Sequence, residues 1–243
     1  MTVVFLQSTV ESFFSGYYGS YILMVVPFII LSFVAQALVK STFNKYAQVK
    51  AQSAYRGVEA ARRLLNEQGL QHVEIERVPG DLSDHYSPKE EILRLSQSTH
   101  DSQSIAAIGV AAHEVGHAVQ HKEQYAPNAV RSALVVPANI GSRLGPYLAI
   151  FGLFLQSDTG RLLFTTGIVL FSAAVLFYLV TLPVEFNASK RAIVLVENSG
   201  MLSTEEIKGA RKVLRAAALT YVASALTAFM SLLRLILLSR RRD

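Results

Sequence analysis

Cysteine is absent from the 243-residue chain, and its absence excludes disulfide bonds, a thiol nucleophile and a cysteine-ligated metal site. Charged residues are also scarce. They make up 17% of the chain, whereas an ordinary soluble domain contains about a quarter. A sequence this poor in charge is typical of a protein that contacts lipid, and the missing cysteines fit a reducing compartment.

The charges that are present do not indicate a nucleic-acid partner. Lys and Arg number 23 against 18 Asp and Glu, so the net charge is only +5 and is spread along the chain. The length allows one compact domain, or a membrane bundle with a modest soluble portion. The distribution of hydrophobic residues decides between these two possibilities.

Hydrophobic residues, 51% of the chain, gather into long blocks, of which 20–39 is the first. This block contains no charged residue, and its length is about what a helix needs to cross a hydrocarbon core of roughly 30 Å. The preceding residues 1–19 contain no Lys or Arg, which disfavours a cleaved signal peptide. We therefore expect a retained membrane anchor.

Three later blocks predict spans with different strength. Residues 132–156 include Arg143, and an arginine at mid-bilayer costs about 2.5–3.5 kcal/mol. Residues 162–182 form a cleaner span and are followed by Pro183. Because the gap between these two blocks is short, they should form a tight antiparallel hairpin. The last block, 216–238, either spans the membrane or lies in its interface.

Residues 40–131 are polar and predict a small α+β portion. Small and apolar residues at helical spacing predict a helix over 43–68, with Gly69 as its stop. The pattern that follows predicts a strand over 72–78, a loop over 81–88, a strand over 91–96 that is either an edge or an interior strand, and a helix that begins at Ser102 or Ser104. Farther along, Ser203 and Glu206 form a capping box that opens another helix.

The basic residues predict the orientation, since cytoplasmic loops are enriched in Lys and Arg. Residues 40–131 hold 11 of the 23 basic residues and 188–215 hold 6, whereas 1–19 hold none and 157–161 hold one. The polar portion is therefore expected in the cytoplasm and the N-terminus outside. This makes the chain a multi-pass protein of the inner (plasma) membrane.

The predicted fold is mainly α, a polytopic membrane protein with a small α+β cytoplasmic portion. The predicted segments are an extracytoplasmic N-terminus (1–19), a first span (20–39), a cytoplasmic portion (40–131), a second span (132–156), a third span (162–182), a second cytoplasmic segment (183–215), a span or interfacial helix (216–238) and a basic tail (239–243).

The motif that carries chemistry is His113-Glu114-Val115-Gly116-His117. Positions i and i+4 of a helix share one face, so both imidazoles can reach one metal ion. Zinc bound there lowers the pKa of a water molecule to about 7, and Glu114 can accept its proton as the water attacks a carbonyl. The alternative is a polar helix face with incidental histidines. The apolar, alanine-rich surroundings disfavour it, because burying these side chains without a partner is costly.

A catalytic zinc needs a third protein ligand and an open fourth position, and four residues compete for the role. Glu123 has a suitable spacing, but Gln120 stands where that zinc class needs a glycine. His121 continues the i+4 series one turn farther away, and Glu197 lies in a loop-like stretch. Glu185 is favoured because a tight hairpin returns the chain to the side it left. Its alternative is a solvated residue at a helix start.

Taken together, HEVGHAVQH, a transmembrane hairpin and the segment EFNASKRA resemble the YugP-like bacterial family of membrane neutral zinc metallopeptidases. The family is related in layout to HtpX-type membrane proteases, and the resemblance covers about 68–238. It implies His113, His117 and Glu185 as zinc ligands, Glu114 as catalytic base and a cytoplasmic active site.

This sequence departs from the HtpX-type pattern at one position that bears on the metal. Those enzymes have an Asp four residues after the ligand Glu, where it orients a zinc-binding His. This chain has Ser189 at that position. Asn187, Ser189 or another acid would have to support the ligands instead.

Three further residues are weaker candidates. His85 or Tyr86 could stabilise an oxyanion, although a turn in which Asp84 caps its own backbone is an equal interpretation. Arg191 could contribute as well, although a basic residue just after a span is usually a lipid-headgroup anchor.

The leading hypothesis is a membrane-embedded zinc endopeptidase whose partners are the lipid bilayer and a membrane-associated protein or peptide substrate. By analogy with HtpX-type proteases, its role would be membrane protein quality control. One alternative is a catalytically silent membrane protein that uses the same fold for binding or scaffolding. Another is a zinc hydrolase acting on a non-peptide bond, which these residues do not distinguish from a peptidase.

Overall fold

Helices dominate the computed structural model, which describes residues 17–155 and 157–240. The predicted N-terminal segment 1–19 and the basic tail 239–243 lie mostly outside the described residues. The elements are α1 (Tyr17–Met24), α2 (Val26–Ala47), α3 (Gly57–Glu67), β1 (Glu74–Val78), β2 (His85–Ser87), β3 (Ile92–Ser96), α4 (Gln97–His100), α5 (Ile105–Lys122), α6 (Ala126–Phe154), α7 (Asp158–Ser199) and α8 (Thr204–Arg240). The prediction of a mainly helical chain with a small sheet is confirmed.

Within the described part of the chain, three helical stretches are long and apolar enough to cross a membrane. They are Tyr21–Ala47, Asp158–Ser199 and Thr204–Ser239. The predicted block 132–156 falls almost entirely within α6, which is not among the three and contains both Pro137 and Pro146. A span at 132–156 stays a prediction.

The chain divides into two compact units, and the first consists of Met1–Val34, Val130–Thr181 and Tyr221–Asp243. In this unit α6 and α7 pack with their backbones in close approach. A Cβ built on Gly145 would lie 2.9 Å from the carbonyl oxygen of Gly167, and one on Gly152 would lie 2.4 Å from the nitrogen of Phe164. Small residues permit such close packing of helices. The contacts run in opposite directions along the two helices, so the predicted antiparallel hairpin is confirmed.

The second unit consists of Ala35–Ala129 and Leu182–Thr220 and contains the sheet. Strand β3 lies in the centre, parallel to β1 and antiparallel to β2. The two strands predicted at 72–78 and 91–96 are present, and the second of them is the interior strand. The prediction of a loop throughout 81–88 is wrong, because His85–Ser87 pairs with β3. Composition describes only local preference, whereas this pairing depends on a neighbouring strand.

The continuous helix predicted over 43–68 is also wrong. It is interrupted between Ala47 and Gly57, where Ala54 has a φ of +55°. In this interval the backbone is hydrogen-bonded to the segment before α5. The Ala51 amide donates to the Gln103 carbonyl and the Gly57 amide donates to the Ser102 carbonyl, each at a distance of 2.9 Å. These long-range hydrogen bonds replace the helical ones that the spacing predicts.

The termini of the remaining helices follow local signals. Gly69, with a φ of +66°, lies two residues after α3, where a left-handed conformation is needed. The Ser104 hydroxyl accepts a hydrogen bond from the Ala107 amide and caps α5. The Ser203 hydroxyl accepts from the Glu206 amide, while the Glu206 carboxylate accepts from the Ser203 amide, so the predicted capping box opens α8. The buried core of this unit surrounds α5.

Candidate metal centre

Helix α5 positions the two motif histidines. Its alanine-rich surface is buried along most of its length, so the helix lies inside the second unit rather than on its surface. His113 and His117 are one turn apart on one face, with ring centroids 4.8 Å apart and ring planes at 85°. Both side chains are largely buried.

Helix α7 supplies a carboxylate to both imidazoles. It continues through Pro183 to Ser199, so Glu185 lies in the middle of a helix and is only 2% exposed. The alternative of a solvated residue at a helix start is therefore wrong. The Oε2 atom of Glu185 is 3.3 Å from Nε2 of His113 and 3.5 Å from Nε2 of His117.

Gly116 is the reason why α5 and α7 approach so closely at this point. A Cβ atom at this position would lie 2.6 Å from the carbonyl oxygen of Ala188, a separation that Cβ atoms do not adopt. The backbone of α7 therefore occupies the space that any larger residue at 116 would need. Glu185 is three residues before Ala188, so the same close contact carries its carboxylate to the histidines.

The three side chains fit a zinc ion. In a tetrahedral site with ligand distances of 2.0–2.1 Å, ligand atoms are about 3.3 Å apart. The two nitrogen–oxygen separations above agree with this value, and one ligand atom from each residue lies within 4.8 Å of the other two. Two histidines and one glutamate are also the donor set of a class of catalytic zinc sites that keeps a fourth position open.

The surrounding charges favour a cation. Burial by itself lowers the pKa of His117, but the hydrogen bond to Glu185 and the charges of Glu114 and Glu185 outweigh this effect, and the pKa is raised overall. Glu114 is buried, with 7% of its surface exposed. Two buried carboxylates, those of Glu114 and Glu185, therefore act on the imidazole of His117, and such surroundings favour a bound cation.

The outer ring nitrogens of the two histidines also have partners. Nδ1 of His113 is 3.1 Å from the hydroxyl of Ser189, and Nδ1 of His117 is 3.0 Å from Oε1 of Gln120. The amide nitrogen of Gln120 donates to Oδ1 of Asn187 over 2.9 Å. Residues of α7 therefore contact the two histidines of α5 at their inner ring nitrogens, through Glu185, and at their outer ones, through Ser189 directly and through Asn187 by way of Gln120.

The candidates for oxyanion stabilisation, His85 and Tyr86, have different hydrogen-bonding partners. Tyr86 on β2 bonds Nδ1 of His121 over 2.9 Å, while Nδ1 of His85 is 2.9 Å from the carbonyl of Ser83, so His85 contacts its own loop. Burial, and then the charge of Glu91, raises the pKa of Tyr86 to about 12. Asp84 accepts hydrogen bonds from the amide and the hydroxyl of Ser96 rather than capping its own turn.

The other two acids considered as third ligand have basic partners. Glu123 forms an ion pair with Arg191, with Oε2 of Glu123 at 2.5 Å from Nη2 of Arg191, so Arg191 contacts a protein carboxylate. Glu197 pairs with Arg211 over 3.0 Å and lies within α7, so the interpretation of its surroundings as a loop is wrong.

Sequence reasoning missed the role of Gln120. In the sequence, this position three residues after His117 serves only as an argument against Glu123 as the third ligand, because that class of zinc site needs a glycine there. A polar residue on the same helix face as His117, in an otherwise apolar helix, was the available signal. The structure shows this side chain fully buried and bonded to residues of two helices.

Comparisons with known proteins show which family the chain is similar to. The model of a protein family described as "Putative neutral zinc metallopeptidase" matches residues 21–240. The chain is 46% identical over 218 residues to "Putative membrane protease YugP" of Bacillus subtilis (strain 168), an alignment that covers 90% of this chain and 96% of that protein. No solved structure matches the chain.

Proposed function

The chain belongs to the family of neutral zinc metallopeptidases whose model it matches, and from this premise we propose that it is a gluzincin-like zinc endopeptidase that cleaves peptide bonds at a membrane. The observation that carries the proposal is the position of the Glu185 carboxylate beside Nε2 of both His113 and His117. Zinc is the cofactor of this family, and these three residues would hold it.

The roles of the residues follow from their chemistry. When bound, zinc polarises a substrate carbonyl and lowers the pKa of a water molecule to about 7. Glu114 is the general base: its carboxylate would take the proton from the attacking water and deliver it to the leaving amine. Tyr86 is our candidate for stabilising the oxyanion, since a hydroxyl with a pKa of about 12 stays protonated and can donate.

We further propose that the site faces the cytoplasm close to the inner (plasma) membrane. Glu185 lies just past Leu182, the last residue of the predicted third span, in the same helix. The basic residues are concentrated in the two segments that flank the hairpin, 40–131 before it and 188–215 after it. Substrates would then be membrane proteins or peptides near the bilayer. By analogy with HtpX-type proteases, we propose a role in membrane protein quality control.

The first prediction tests Glu114 as the base. In detergent-purified protein, Glu114→Gln should abolish peptide cleavage, a loss of at least about 100-fold for a missing general base, while zinc stays bound. Zinc content is measured by metal analysis, and cleavage is measured on peptides alongside ester and amide substrates. The matched control is Glu205→Gln, which makes the same change at an exposed residue of α8 and should leave both quantities unchanged.

The same experiment distinguishes the alternatives. A scaffold that binds zinc structurally would show about one zinc per chain and no hydrolysis by the unaltered protein. A hydrolase of another bond would cleave esters or amides but not peptides. Retained peptide cleavage in Glu114→Gln would refute the mechanism, and an unchanged zinc content in His113→Ala would refute the metal site.

A further inference from the structure

The side chain of Gln120 is buried among polar atoms whose donor or acceptor character is fixed. Its Nε2 position lies 2.8 Å from the backbone carbonyl oxygen of Val184. A carbonyl oxygen can only accept a hydrogen bond. The Gln120 atom that faces it must therefore be the amide nitrogen, which directs the amide oxygen to the other side.

A second, independent chain of contacts gives the same orientation. Nε of Arg191 can only donate, and it lies 2.7 Å from Asn187, so the Asn187 atom there is its oxygen Oδ1. That oxygen is also 2.9 Å from Gln120, which must again present its amide nitrogen. Arg191 is held in place by its ion pair with Glu123. The amide of Gln120 is therefore oriented from two directions.

The orientation determines where His117 carries its proton. The oxygen Oε1 of Gln120, which also accepts a long bond of 3.5 Å from Asn128, is 3.0 Å from Nδ1 of His117. Since this oxygen only accepts, Nδ1 must carry the ring hydrogen. A neutral imidazole has a single N–H, so Nε2 keeps its lone pair, and Nε2 is the atom beside Glu185.

We propose that Gln120 is a positioning residue that fixes the tautomer and the rotation of His117 for zinc binding through Nε2. The inference rests on the proposed zinc site. Gln120 also links the two ligand-bearing helices, because the Val184 carbonyl that it bonds directly precedes Glu185 in α7. Its loss would therefore loosen one ligand and the backbone next to another.

His113 has no equivalent arrangement. Its Nδ1 faces the hydroxyl of Ser189, and a hydroxyl can donate or accept, so this contact is compatible with either tautomer. The tautomer of His117 therefore depends on its side-chain partner, whereas the tautomer of His113 does not. His117 is held in one tautomer by amide geometry, whereas His113 can adjust.

Zinc affinity in purified, detergent-solubilised protein tests the proposal. Gln120→Met keeps a similar volume but removes the acceptor, and loss of such a supporting contact typically weakens metal binding 10–100-fold. The dissociation constant is measured by competition with a zinc chelator, so the measurement does not depend on activity. Gln97→Met, the same change at an exposed residue of α4, should bind zinc as the unaltered protein does.

A pair of variants at Asn187 separates hydrogen-bond direction from packing. Asn187→Asp still accepts from both Arg191 and Gln120, so zinc affinity should stay within about threefold, below the losses typical of a missing supporting contact. Asn187→Leu has a similar size but accepts nothing and should bind zinc more weakly than Asn187→Asp. Equal losses in both variants would overturn the orientation argument.

The tautomer can be read directly in the zinc-loaded protein labelled with ¹⁵N-histidine. The expected spectrum has the His117 proton on Nδ1 and the metal on Nε2, and a proton on Nε2 would overturn the proposal even if Gln120→Met failed to fold. Failure of the proposed function is distinct from this outcome. If the unaltered protein binds no zinc, or if His113→Ala binds it equally well, the metal site itself is wrong. If both behave as expected but Gln120→Met binds normally, only the role of Gln120 is wrong.

Discussion

At the scale of single residues, the site concentrates carboxylates in an interior where unpaired charge is costly. Glu114 and Glu185 are both buried, and the Glu185 carboxylate lies beside two imidazoles that are neutral when they bind a metal. The hydrogen bond to Glu185 and the charges of both carboxylates raise the pKa of His117 against the opposing effect of burial. These surroundings therefore favour positive charge at the histidines.

Ser189 gives a prediction at this scale. Its hydroxyl is the partner of Nδ1 of His113, in the position where HtpX-type enzymes have an aspartate. Ser189→Ala should weaken zinc binding by about 10-fold, at the low end of the usual range for supporting contacts, because a neutral hydroxyl holds the ring less firmly than a carboxylate does. Chelator competition on the purified protein measures this change.

A control for Ser189→Ala exists in the same helix. The Ser172 hydroxyl donates to the carbonyl of Ile168 in its own helix over 2.7 Å, so Ser172→Ala removes a helical serine without affecting a ligand. It should not change the dissociation constant. If Ser189→Ala also leaves zinc affinity unchanged, His113 is oriented by packing alone and the hydroxyl has no role.

The candidate ligands were easier to predict from the sequence than the residues that hydrogen-bond to them. His113 and His117 follow from spacing within one helix, and Glu185 follows from a hairpin that returns the chain to the same side. Gln120 was missed because its partners Val184 and Asn187 are 64 and 67 residues away, and no local pattern brings them together. Spacing within one helix and the return of the chain through the hairpin identify the three candidate ligands, whereas the hydrogen bonds of Gln120 depend on the side-chain packing of α5 against α7.

At the scale of elements, the decisive feature is the distance between helices α5 and α7. Gly116→Ala should lower zinc affinity strongly, by about 10-fold or more, because its Cβ would lie 2.6 Å from the Ala188 carbonyl and push the helices apart. A zinc site tolerates changes of only about 0.2 Å in ligand distance. Alanine favours the helix itself by roughly 1 kcal/mol, so affinity should fall more than thermal stability does. Metal titration and thermal unfolding are measured on the same samples.

Gly109→Ala is the matched control, because it lies in the same helix and faces α8 instead. A Cβ there would be 3.2 Å from the Cβ of Ala210, a contact that a slight shift can relieve away from the ligands. Zinc affinity should stay within about threefold, since no supporting contact of the ligands is lost. A Gly116→Ala protein that binds zinc as well as Gly109→Ala would show that the close approach of α5 and α7 is not required.

Some of these helices and strands were predictable from local sequence patterns and others were not. Strands β1 and β3 and the cap of α5 were predicted because alternation and capping are local signals. The interruption after Ala47 and the strand His85–Ser87 were not, because both depend on hydrogen bonds to distant backbone, from 102–104 in one case and from β3 in the other. Elements whose signals lie close together in the sequence were therefore predicted correctly, whereas elements whose hydrogen-bonding partners are distant in the sequence were not.

At the scale of the whole molecule, the proposed function requires the metal site to lie on the cytoplasmic side of the membrane. The cysteine-free sequence allows a direct test, since each introduced cysteine is then the only thiol in the chain. Lys89→Cys reports on the polar portion 40–131, and Thr159→Cys reports on the first turn of α7, next to its connection to α6. Both positions are exposed and distant from the metal ligands in sequence.

The distribution of basic residues predicts opposite labelling at these two positions. In spheroplasts, a membrane-impermeant maleimide should label Thr159→Cys and not Lys89→Cys, whereas permeabilised cells should show both labelled. The unaltered protein controls for background and should remain unlabelled throughout. Labelling of Lys89→Cys in intact spheroplasts would place the site outside, where cytoplasmic substrates do not reach it, and would overturn the proposed orientation while leaving the chemistry of His113, His117 and Glu185 intact.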